Sequence, residues 1–540
     1  MASSLATACH GATFSPSVFG AEILSLEANL VTNYSASVPD AYRSGAPSVE
    51  LRNATFCNVT ISYTHPGQDD NIWVETWLPA EDWNGRFQAV GGGGWVAGRF
   101  SLSYTAMAGA LADGFATITT DAGLGAAEDA SPWALNSPGN VNLYNLQNLA
   151  SVSLNDEALI GKFLIKDFYG RYPDYSYWSG CSQGGRQGLM LAQRFPTAYD
   201  GIVALGPAIY WDEISSNLQW GQQVMNELNY YPYGCEIDAI TAAAILACDG
   251  LDSVVDGVIA HTDACLATFD PFSLVGTDVS CAQVNGTKVK ISEQAAIVVN
   301  STWHGMTTAN GDRVWYGVNP GTDLTGNSPK SYGQPGIAAT SCNETGCVGA
   351  STVIGLQWLQ LFVAKDPEKD FSNLTRAEFV DLVHAGKQQF SSLTETADPD
   401  LSRFRDAGGK MITVHGTVDN LIPTKGIEKY YNVVSDRLPD VHDFYRYFEA
   451  PGLGHCYGGV SGQPNKIFSQ LRDWVESGRA PETSPIEIYV PGEKVHNRIL
   501  CPYPKESQFD PACGDAAAAE CWSCHQPSTS KRPHDRVEEL

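Results

Sequence analysis

The chain has 540 residues, of which 43% are hydrophobic and 17% are charged, and this is the composition of a folded globular protein. No run of about 18 apolar residues occurs, so the sequence predicts no transmembrane helix. The 33 Lys and Arg residues against 60 Asp and Glu residues give a net charge of −27, and so acidic a surface excludes binding to nucleic acid and to anionic lipid.

Fourteen cysteines, an even number spread along the whole chain, are typical of a large oxidised protein. Seven N-x-[ST] sequons point to the same environment, at Asn33, Asn53, Asn58, Asn285, Asn300, Asn343 and Asn373. We therefore expect a secreted, disulfide-bonded glycoprotein. The first residues show neither the basic nor the apolar part of a signal peptide, so we expect that this peptide has been removed or replaced.

The first third of the chain alternates between strand-like and helix-like segments. Short runs rich in β-branched and aromatic residues, bounded by turn residues, predict strands at 70–79, 86–90 and 115–120. Residues 153–169 predict a helix, because they begin with the capping-box-like run Ser153-Leu154-Asn155-Asp156 and end before Gly170.

A βαβ unit follows this helix. Residues 174–179 and 201–206 predict strands, and the helical stretch 186–195 between them ends at Pro196. Strand, helix and strand in this order indicate a parallel sheet, so the sequence predicts a fold of the α/β class.

The character of the sequence changes between 207 and 404. This segment has helix-like patches, long loops rich in Gly, Asn, Ser and Thr, six of the cysteines and four of the sequons. The α/β pattern then returns with strands at 410–415 and 443–450 and helices at 424–436 and 465–476. The sequence therefore predicts one sheet domain, formed by 1–206 and 405–540, into which a second domain, 207–404, is inserted.

Gly180-Cys181-Ser182-Gln183-Gly184 has the pattern G-x-S-x-G and lies between a predicted strand and a predicted helix, which is the context of a nucleophile elbow. Glycines allow the tight turn, and the N-terminus of the following helix favours developing negative charge. We therefore predict that Ser182 is a catalytic nucleophile. A glycine-rich turn with an incidental serine is the alternative.

A nucleophile of this kind needs a carboxylate and a histidine, in the chain order Ser, Asp, His, each in a loop after a later strand. Asp419 follows the predicted strand 410–415, and His455 follows 443–450. We predict that His455 is the base and that Asp419 orients it. His415 is the alternative base, but it stands at a strand end, where a packing role is more common.

Two cysteines flank the predicted site, since Cys181 directly precedes Ser182 and Cys456 directly follows His455. If the histidine lies within hydrogen-bond reach of the serine, the two Cα atoms can fall within the roughly 4.4–6.8 Å that a disulfide requires. Such a bond would fix the base beside the nucleophile. Pairing elsewhere, or free thiols, is the alternative.

Two other segments are candidates for ligand binding. The glycine run 91–94 follows a predicted strand and lets backbone N–H groups approach a ligand closely. Asp249, Asp252 and Asp256 crowd three carboxylates into one short stretch, which a hard cation explains better than chance. A flexible turn and a solvated acidic turn are the respective alternatives.

Cys521-Trp522-Ser523-Cys524-His525 matches C-x-x-C-H, the attachment motif of c-type haem. A haem needs an apolar pocket and usually a second axial ligand, whereas this run follows an Ala-rich stretch and has Cys501 and Cys513 nearby. We therefore expect no haem, and local disulfides among these four cysteines.

Together these motifs resemble those of the tannase and feruloyl esterase family. The likeness rests on the run Gly-Cys-Ser-x-Gly-Gly at 180–185, the run Gly-x-x-Asp at 416–419, and His455-Cys456. It extends over nearly the whole chain, to Cys57-Asn58-Val59-Thr60, the glycine run 91–94, Ala247-Cys248-Asp249 and Leu500-Cys501-Pro502.

The resemblance implies an α/β-hydrolase fold with a large lid domain inserted between the serine strand and the aspartate strand, and hydrolysis of phenolic-acid esters. It implies that Ser182 is the nucleophile, His455 the base and Asp419 its orienting carboxylate. It also implies a disulfide between Cys181 and Cys456, and an oxyanion hole formed by the N–H of Gln183 and that of a glycine in the run 91–94, with Gly93 and Gly94 as the candidates.

The resemblance further implies a structural Ca²⁺ in the lid. Its ligands would be the side chains of Asp249, Asp252 and Asp256 and the backbone carbonyls of Val254 and Val258. Cys265 lies close enough in sequence to pair with Cys248 and close this loop, and Cys9 and Cys57 are further disulfide candidates. The sequence does not assign the pairing of Cys235, Cys281, Cys342, Cys347, Cys501, Cys513, Cys521 and Cys524.

We therefore expect a secreted serine carboxylesterase, a feruloyl esterase that releases ferulate, p-coumarate or caffeate from plant cell-wall polysaccharide. A tannase that cleaves galloyl esters is the alternative within the family. A catalytically inactive hydrolase fold used for calcium-dependent binding is the alternative from another class, and the complete set Ser182, Asp419 and His455 argues against it. The sequence determines neither the preferred phenolic acid nor the lid residues of the pocket nor the oligomeric state.

Overall fold

The computed structural model describes residues 2–343, 346–489, 492 and 494–527. Its central element is a nine-stranded sheet, whose strands we label β1 to β9 in chain order. They are Glu22–Val38, Val49–Thr64, Ile72–Pro79, Arg86–Val90, Ala116–Thr120, Tyr175–Cys181, Gly201–Leu205, Lys410–Gly416 and Tyr445–Ala450.

The strands lie in the order β1-β2-β3-β5-β4-β6-β7-β8-β9. The first four neighbours pair antiparallel, and from β5 onward every pair is parallel. The parallel part is covered on both faces, so β5 and β7 are buried along their whole length. Because parallel strands end at one edge, the residues that follow β4, β6, β8 and β9 come together there.

Sixteen α-helices occur in the described residues. They are Ala2–Ala8, Ser101–Ala112, Ser131–Ala134, Leu143–Gln147, Ser153–Tyr169, Gln183–Arg194, Trp211–Asn217, Trp220–Leu228, Gly234–Cys248, Thr262–Thr268, Glu293–His304, Val353–Gln357, Arg376–Thr394, Ser402–Asp406, Thr424–Arg437 and Ile467–Ser477, labelled α1 to α16 in this order. None of these helices is long and apolar enough to cross a membrane.

Apolar faces attach the helices to the sheet. In α16 the apolar residues recur with helical period, and Ile467, Phe468, Leu471 and Trp474 are buried against β7 and β8. Helix α6 packs on β6 and β7, directly behind the turn that precedes it. This packing fixes the direction in which α6 leaves the sheet.

The segment between β7 and β8 contributes helices α7 to α14 and two small hairpins, Asp278–Cys281 with Thr287–Lys290 and Thr340–Asn343 with Gly346–Gly349. Within its described residues no strand joins the main sheet. The sheet is thus interrupted in sequence where the composition changes. The boundaries 207 and 404 themselves stay a prediction.

The sequence-based predictions missed some elements of the structure and were wrong about one helix end. The long strands β1 and β2 and the helix α2 were not predicted, and the capping box at Ser153 is wrong. Ser153 donates its hydroxyl to the carbonyl of Asn148, because the chain is already helical from α4 through a π-helical turn at Asn148–Val152. Helix α5 therefore has no free N-terminus to cap.

All fourteen cysteines are paired. The pairs are Cys9–Cys57, Cys181–Cys456, Cys235–Cys281, Cys248–Cys265, Cys342–Cys347, Cys501–Cys524 and Cys513–Cys521. The expected local disulfides at the C-terminus are therefore present, and both cysteines of the C-x-x-C-H run are used by them.

Candidate active site

Ser182 occupies the tight turn between β6 and α6. Its backbone has φ +61° and ψ −120°, a conformation that residues other than glycine rarely adopt, and hydrogen bonds hold it there. The Ser182 N–H donates to Leu205 O, and the Ser182 carbonyl accepts from Arg186 and Ala208. The nucleophile-elbow geometry thus brings a strained serine to the edge of the sheet.

Glycines make this turn possible. A Cβ atom on Gly180 would lie 2.5 Å from the carbonyl carbon of Gly184, and one on Gly184 would lie 3.0 Å from the carbonyl oxygen of Gly92. Both contacts are too close for a side chain, so the G-x-S-x-G pattern has a steric cause in this structure.

His455 and Asp419 meet beyond the ends of β9 and β8. Nδ1 of His455 lies 2.9 Å from Oδ2 of Asp419, and both side chains are buried. A hydrogen bond from Nδ1 leaves Nε2 of the imidazole free to face a hydroxyl group. Ser182 and His455 line the same pocket, although no hydrogen bond joins their side chains in the described structure.

Asp419 is held by four donors. Its Oδ1 accepts the N–H groups of Leu421 at 2.9 Å and Ile422 at 2.8 Å, while Oδ2 faces the ring nitrogens of His455 and His415. Burial alone would raise the pKa of this carboxyl group. The charge of His455 and the hydrogen bonds from both histidines outweigh burial and hold the pKa well below its usual range.

His415, the alternative base, has a different position. Its Nε2 lies 3.0 Å from Oδ2 of Asp419 and 3.1 Å from the carbonyl of Ile422, and the side chain is completely buried. It is not among the residues that line the pocket. His415 therefore contacts the same carboxylate oxygen as His455 but does not face the pocket that Ser182 lines.

The Cys181–Cys456 disulfide joins the residue before Ser182 to the residue after His455. Its Cα atoms are 5.8 Å apart, and it spans 275 positions of sequence. Cys456 adopts a φ of +60°, so the chain reverses immediately after the histidine. The bond ties the loop after β9 to the turn after β6.

The glycine run after β4 contributes to the same edge. The N–H of Gly93 already donates to the carbonyl of Val96 at 3.0 Å, so it is not available to a ligand. Gly94 lines the pocket, and neither its N–H nor that of Gln183 has an acceptor in the described residues. Of the two candidate glycines, Gly94 is thus the one whose N–H is free.

The pocket beside Ser182 is lined largely by aliphatic and aromatic side chains. Helix α7 and its flanks provide one wall, Ile354 of α12 another, and the loop after Asp419 a third. The lining residues other than Gly94, Ser182, Gln183 and His455 are Ala208, Trp211, Ile214, Ser215, Leu218, Ile354, Leu421 and Ile422. Ser215 carries the one hydroxyl group in this second set.

Sequence reasoning did not identify this wall. Residues 208–218 and 354 are far apart in sequence and carry no motif, so their meeting depends on the tertiary fold. The second histidine on Asp419 was also missed as a partner. The run His415-Gly416-Thr417-Val418-Asp419 contains the signal, because a strand-end histidine four residues before the aspartate can fold back onto it.

The acidic loop at 249–258 lies on the inserted segment, and Cys248–Cys265 closes it. The carboxylate of Asp249 accepts the N–H groups of Asp256 and Gly257, whereas Asp252 and Asp256 face the guanidinium of Arg498 at 3.5 and 2.5 Å. The described residues contain no cluster of three or more His, Cys, Asp or Glu side chains close enough to hold a metal ion. The carboxylates of Asp252 and Asp256 are thus brought together by the single guanidinium group of Arg498.

The sequons differ in accessibility. Asn33, Asn53, Asn285, Asn343 and Asn373 are exposed and Asn300 is half-buried. Asn58 lies within β2 in the sheet, where its Nδ2 donates to Glu75 at 3.1 Å and its amide oxygen is buried. Asn58 is therefore less accessible than the exposed sequons, and glycosylation at all seven positions stays a prediction.

Known proteins resemble this chain over almost its whole length. The family model described as tannase and feruloyl esterase matches residues 57–525. The chain is 36% identical to a probable feruloyl esterase of Arthroderma benhamiae, over 94% of this chain and 92% of that protein. It is 28% identical to a tannase of Aspergillus oryzae, over 90% of each chain. The solved structure of a tannin acyl hydrolase from Aspergillus niger has a TM-score of 0.81 at 29% identity and covers 97% of this chain and 94% of its own.

Proposed function

This chain belongs to the tannase and feruloyl esterase family and has the α/β-hydrolase fold, and we propose that within this family it is a feruloyl esterase with a serine nucleophile. Tannases and feruloyl esterases are both carboxylic ester hydrolases, so the chain is an enzyme of that class. The observation that carries the finer proposal is the apolar pocket beside Ser182 and His455.

The polarity of this pocket favours hydroxycinnamates over gallate. Ferulate carries one phenolic hydroxyl and one methoxy group, whereas gallate carries three adjacent hydroxyls. Ser215 and the indole N–H of Trp211, which is unpartnered among the described residues, can each hydrogen-bond one oxygen of the acyl group, and each further hydroxyl buried without a partner costs roughly 1–3 kcal/mol. An acyl group with few hydroxyls is therefore the better fit.

In the proposed reaction His455 Nε2 accepts the proton of the Ser182 hydroxyl as the oxygen attacks the ester carbonyl. The N–H groups of Gln183 and Gly94 stabilise the negative oxygen of the tetrahedral intermediate. His455 then gives its proton to the leaving alcohol. A water molecule, activated by the same histidine, hydrolyses the acyl-enzyme and releases the acid, while Asp419 keeps the imidazole oriented throughout.

A panel of esters tests the proposal. The values of kcat/KM are measured on methyl ferulate, methyl p-coumarate, methyl caffeate and methyl gallate, with p-nitrophenyl acetate as a pocket-independent control. We expect ferulate and p-coumarate to exceed gallate by about 10²-fold, since gallate buries two more hydroxyls. Preference for gallate would instead make the protein a tannase, and activity on none of these esters would refute an esterase of phenolic acids.

We also propose that the enzyme is secreted and glycosylated. Fourteen paired cysteines and the exposed sequons support an extracellular enzyme that carries glycans at those exposed positions. We also propose that 207–404 acts as a lid domain, since it supplies α7 and Ile354 to the pocket.

The acidic loop is proposed to hold a structural Ca²⁺. Asp249, Asp252 and Asp256 carry three negative charges, and Arg498 supplies one positive charge. The excess of two matches a divalent cation, and carboxylate and carbonyl oxygens are the ligands that Ca²⁺ prefers. The backbone carbonyls of Val254 and Val258 would complete the set. The ion would stabilise the loop and take no part in the ester chemistry.

A further inference from the structure

Four tyrosines lie together at the surface beside the loop that carries His455. The ring of Tyr457 is 6.1 Å from that of Tyr42 and 6.2 Å from that of Tyr332, measured between centroids. Among the described residues Tyr489 has no ring contact with these three, but its hydroxyl interacts electrostatically with Tyr332 and with Asp40, and its N–H donates to Val460 O at 2.8 Å. We call Tyr42, Tyr332, Tyr457 and Tyr489 the tyrosine platform.

The platform is open to solvent. Tyr332 is 70% exposed and Tyr489 is 49% exposed, while Tyr42 and Tyr457 are half-buried. Single exposed aromatic residues are common on protein surfaces, but here Tyr42, Tyr457 and Tyr332 are in consecutive ring contact, and Tyr489 adds a further exposed ring with a hydroxyl tip. Such a surface favours a ligand that is apolar on its faces and polar at its edge.

The platform is physically attached to the catalytic loop. The carbonyl of His455 accepts the N–H of Tyr457 and the Nε2 of Gln334, each at 2.6 Å. The N–H of Gly459 donates to Lys330 O at 3.0 Å, so the loop that bears Tyr332 is docked on the loop that bears His455. Tyr457 is only two residues from the proposed base.

The proposed reaction determines which part of the ester substrate lies near the tyrosine platform. The acyl group enters the apolar pocket, whereas the alcohol oxygen must receive a proton from His455. The rest of the alcohol therefore extends past His455 on leaving the pocket. This step rests on the proposed function.

Carboxylates rim the platform. Tyr489 donates its hydroxyl to Glu487 at 2.8 Å, and the carboxylate of Asp40 interacts electrostatically with the same tyrosine. Carboxylate oxygens accept hydrogen bonds from sugar hydroxyls, and sugar C–H groups pack on aromatic faces. The same carboxylates, on a protein with a net charge of −27, repel acidic sugars.

We propose that the tyrosine platform is a subsite for a neutral sugar, the one whose hydroxyl carries the phenolic ester. It binds the alcohol side of the substrate, while the apolar pocket binds the acyl side. The enzyme would thereby distinguish a glycosyl ester from a simple alkyl ester of the same acid.

The double variant Tyr332→Ala/Tyr489→Ala tests this subsite. The measured quantity is the ratio of kcat/KM for ferulate esterified to a neutral pentose oligosaccharide to kcat/KM for methyl ferulate. We expect this ratio to fall about ten-fold, because stacking on two exposed rings is lost. The matched control is Tyr172→Ala, also exposed at 47%, which precedes β6 and so lies at the opposite end of that strand from Ser182.

A second measurement is independent of catalysis. Titration of the unesterified neutral oligosaccharide into the protein, followed by calorimetry, should detect binding that the double variant loses and that the Tyr172→Ala variant keeps. An acidic oligogalacturonide should bind more weakly than the neutral sugar.

An unchanged ratio in the double variant, or equal binding of the sugar by parent and double variant, would overturn the subsite. Loss of activity on every phenolic ester would refute the proposed function instead, and the titration would still decide the platform. Melting temperatures of all variants establish that the substitutions leave the fold intact.

Discussion

The two sides of the pocket are built differently. On the sheet side, Ser182, Asp419 and His455 each follow a parallel strand, and hydrogen bonds and a disulfide fix their positions. On the side of the inserted segment, largely apolar residues of α7 and α12 form a wall with a single hydroxyl group. The groups proposed for bond-making thus follow strands of the sheet, while the wall proposed to contact the acyl group belongs to the inserted segment.

Two buried aspartates show the same contrast. Asp419, on the sheet side, has four donors and a pKa well below its usual range. The carboxylate of Asp212, on α7, accepts the hydroxyls of Ser391 and Thr394 and no other donor among the described residues, and burial raises its pKa to about 7. The sheet side therefore supports a buried charge, whereas the wall side disfavours one.

The largest effect is expected from substitution of Ser182, on the sheet side of the pocket. Ser182→Ala should lower kcat by about 10³-fold or more, because the nucleophile is lost while the oxyanion hole and binding remain. Ser215→Ala, the matched serine of the wall, should cost no more than about ten-fold. A serine-directed phosphonate should label Ser182 alone. Comparable losses in the two variants would contradict the division between chemistry and selectivity.

Removal of the disulfide at the sheet edge should have the next largest effect. Cys181→Ala/Cys456→Ala should lower kcat by about 10²-fold at temperatures well below its melting point, because a shift of about 1 Å in His455 suffices for such a loss. Chain entropy also predicts about 5.6 kcal/mol less stability for a loop of 275 residues, although measured values often fall short.

The control is Cys342→Ala/Cys347→Ala, which opens a bond spanning five positions in the inserted segment. It should leave kcat near the parent value, since neither cysteine touches the pocket. If both double variants lose activity equally, the bond beside His455 has no special role in positioning.

The third prediction concerns pH and the wall side. Asp212 has a pKa of about 7 in the folded protein and about 4 in the unfolded chain. Between about pH 4 and pH 7 the folded protein therefore keeps a proton on Asp212 that the unfolded chain has lost. Its contribution to stability is complete below about pH 4 and is lost as the pH rises to about 7. Asp212→Asn cannot ionise, so its melting temperature should exceed that of the parent by several degrees at pH 8 and by less at pH 5.

The charged groups around Asp212 are Glu213, Lys387, Glu395 and Arg186. The exposed Asp381→Asn on α13 serves as control and should show the parent's pH dependence. Melting curves of the three proteins at pH 5 and pH 8 give the comparison. A parallel shift of the Asp212→Asn variant at both pH values would mean that Asp212 does not titrate in this range.

The smallest expected effect tests the acidic loop. Chelation with EDTA should lower the melting temperature by about a few degrees, because an ion bound only to the folded state stabilises it by mass action. Activity at low temperature should persist, since the loop holds no group of the triad. Added Ca²⁺ should restore the melting temperature, and Asp256→Asn should make the protein insensitive to EDTA. An unaltered melting curve together with no calcium by elemental analysis would remove the site.

Strands of the parallel sheet, and the site residues that directly follow them, could be predicted from sequence. The strands at 86–90 and 410–415 and the turn around Ser182 depend on short local patterns, and the structure has them within a residue or two. Asp419 and His455 could be predicted because the α/β-hydrolase topology puts the carboxylate and the histidine in loops after later parallel strands. Local chemistry and topology agree at these positions.

Other features leave no local pattern. Helix α2 is apolar or small on all sides because it is buried against the sheet, so no helical period appears. Ile354 reaches the pocket across the inserted segment, and nothing near it marks that contact. The pairing of eight cysteines was open because spacing alone does not select among connectivities.

The disulfide between Cys181 and Cys456 also places a demand on biosynthesis. At about 5–20 residues per second, roughly 15 to 55 s separate the synthesis of the two cysteines. During that interval Cys181 lacks its native partner, while six other cysteines are synthesised: Cys235, Cys248, Cys265, Cys281, Cys342 and Cys347. Yield in a recombinant host would therefore depend on disulfide isomerase, which can release Cys181 from wrong partners until β9 has been made.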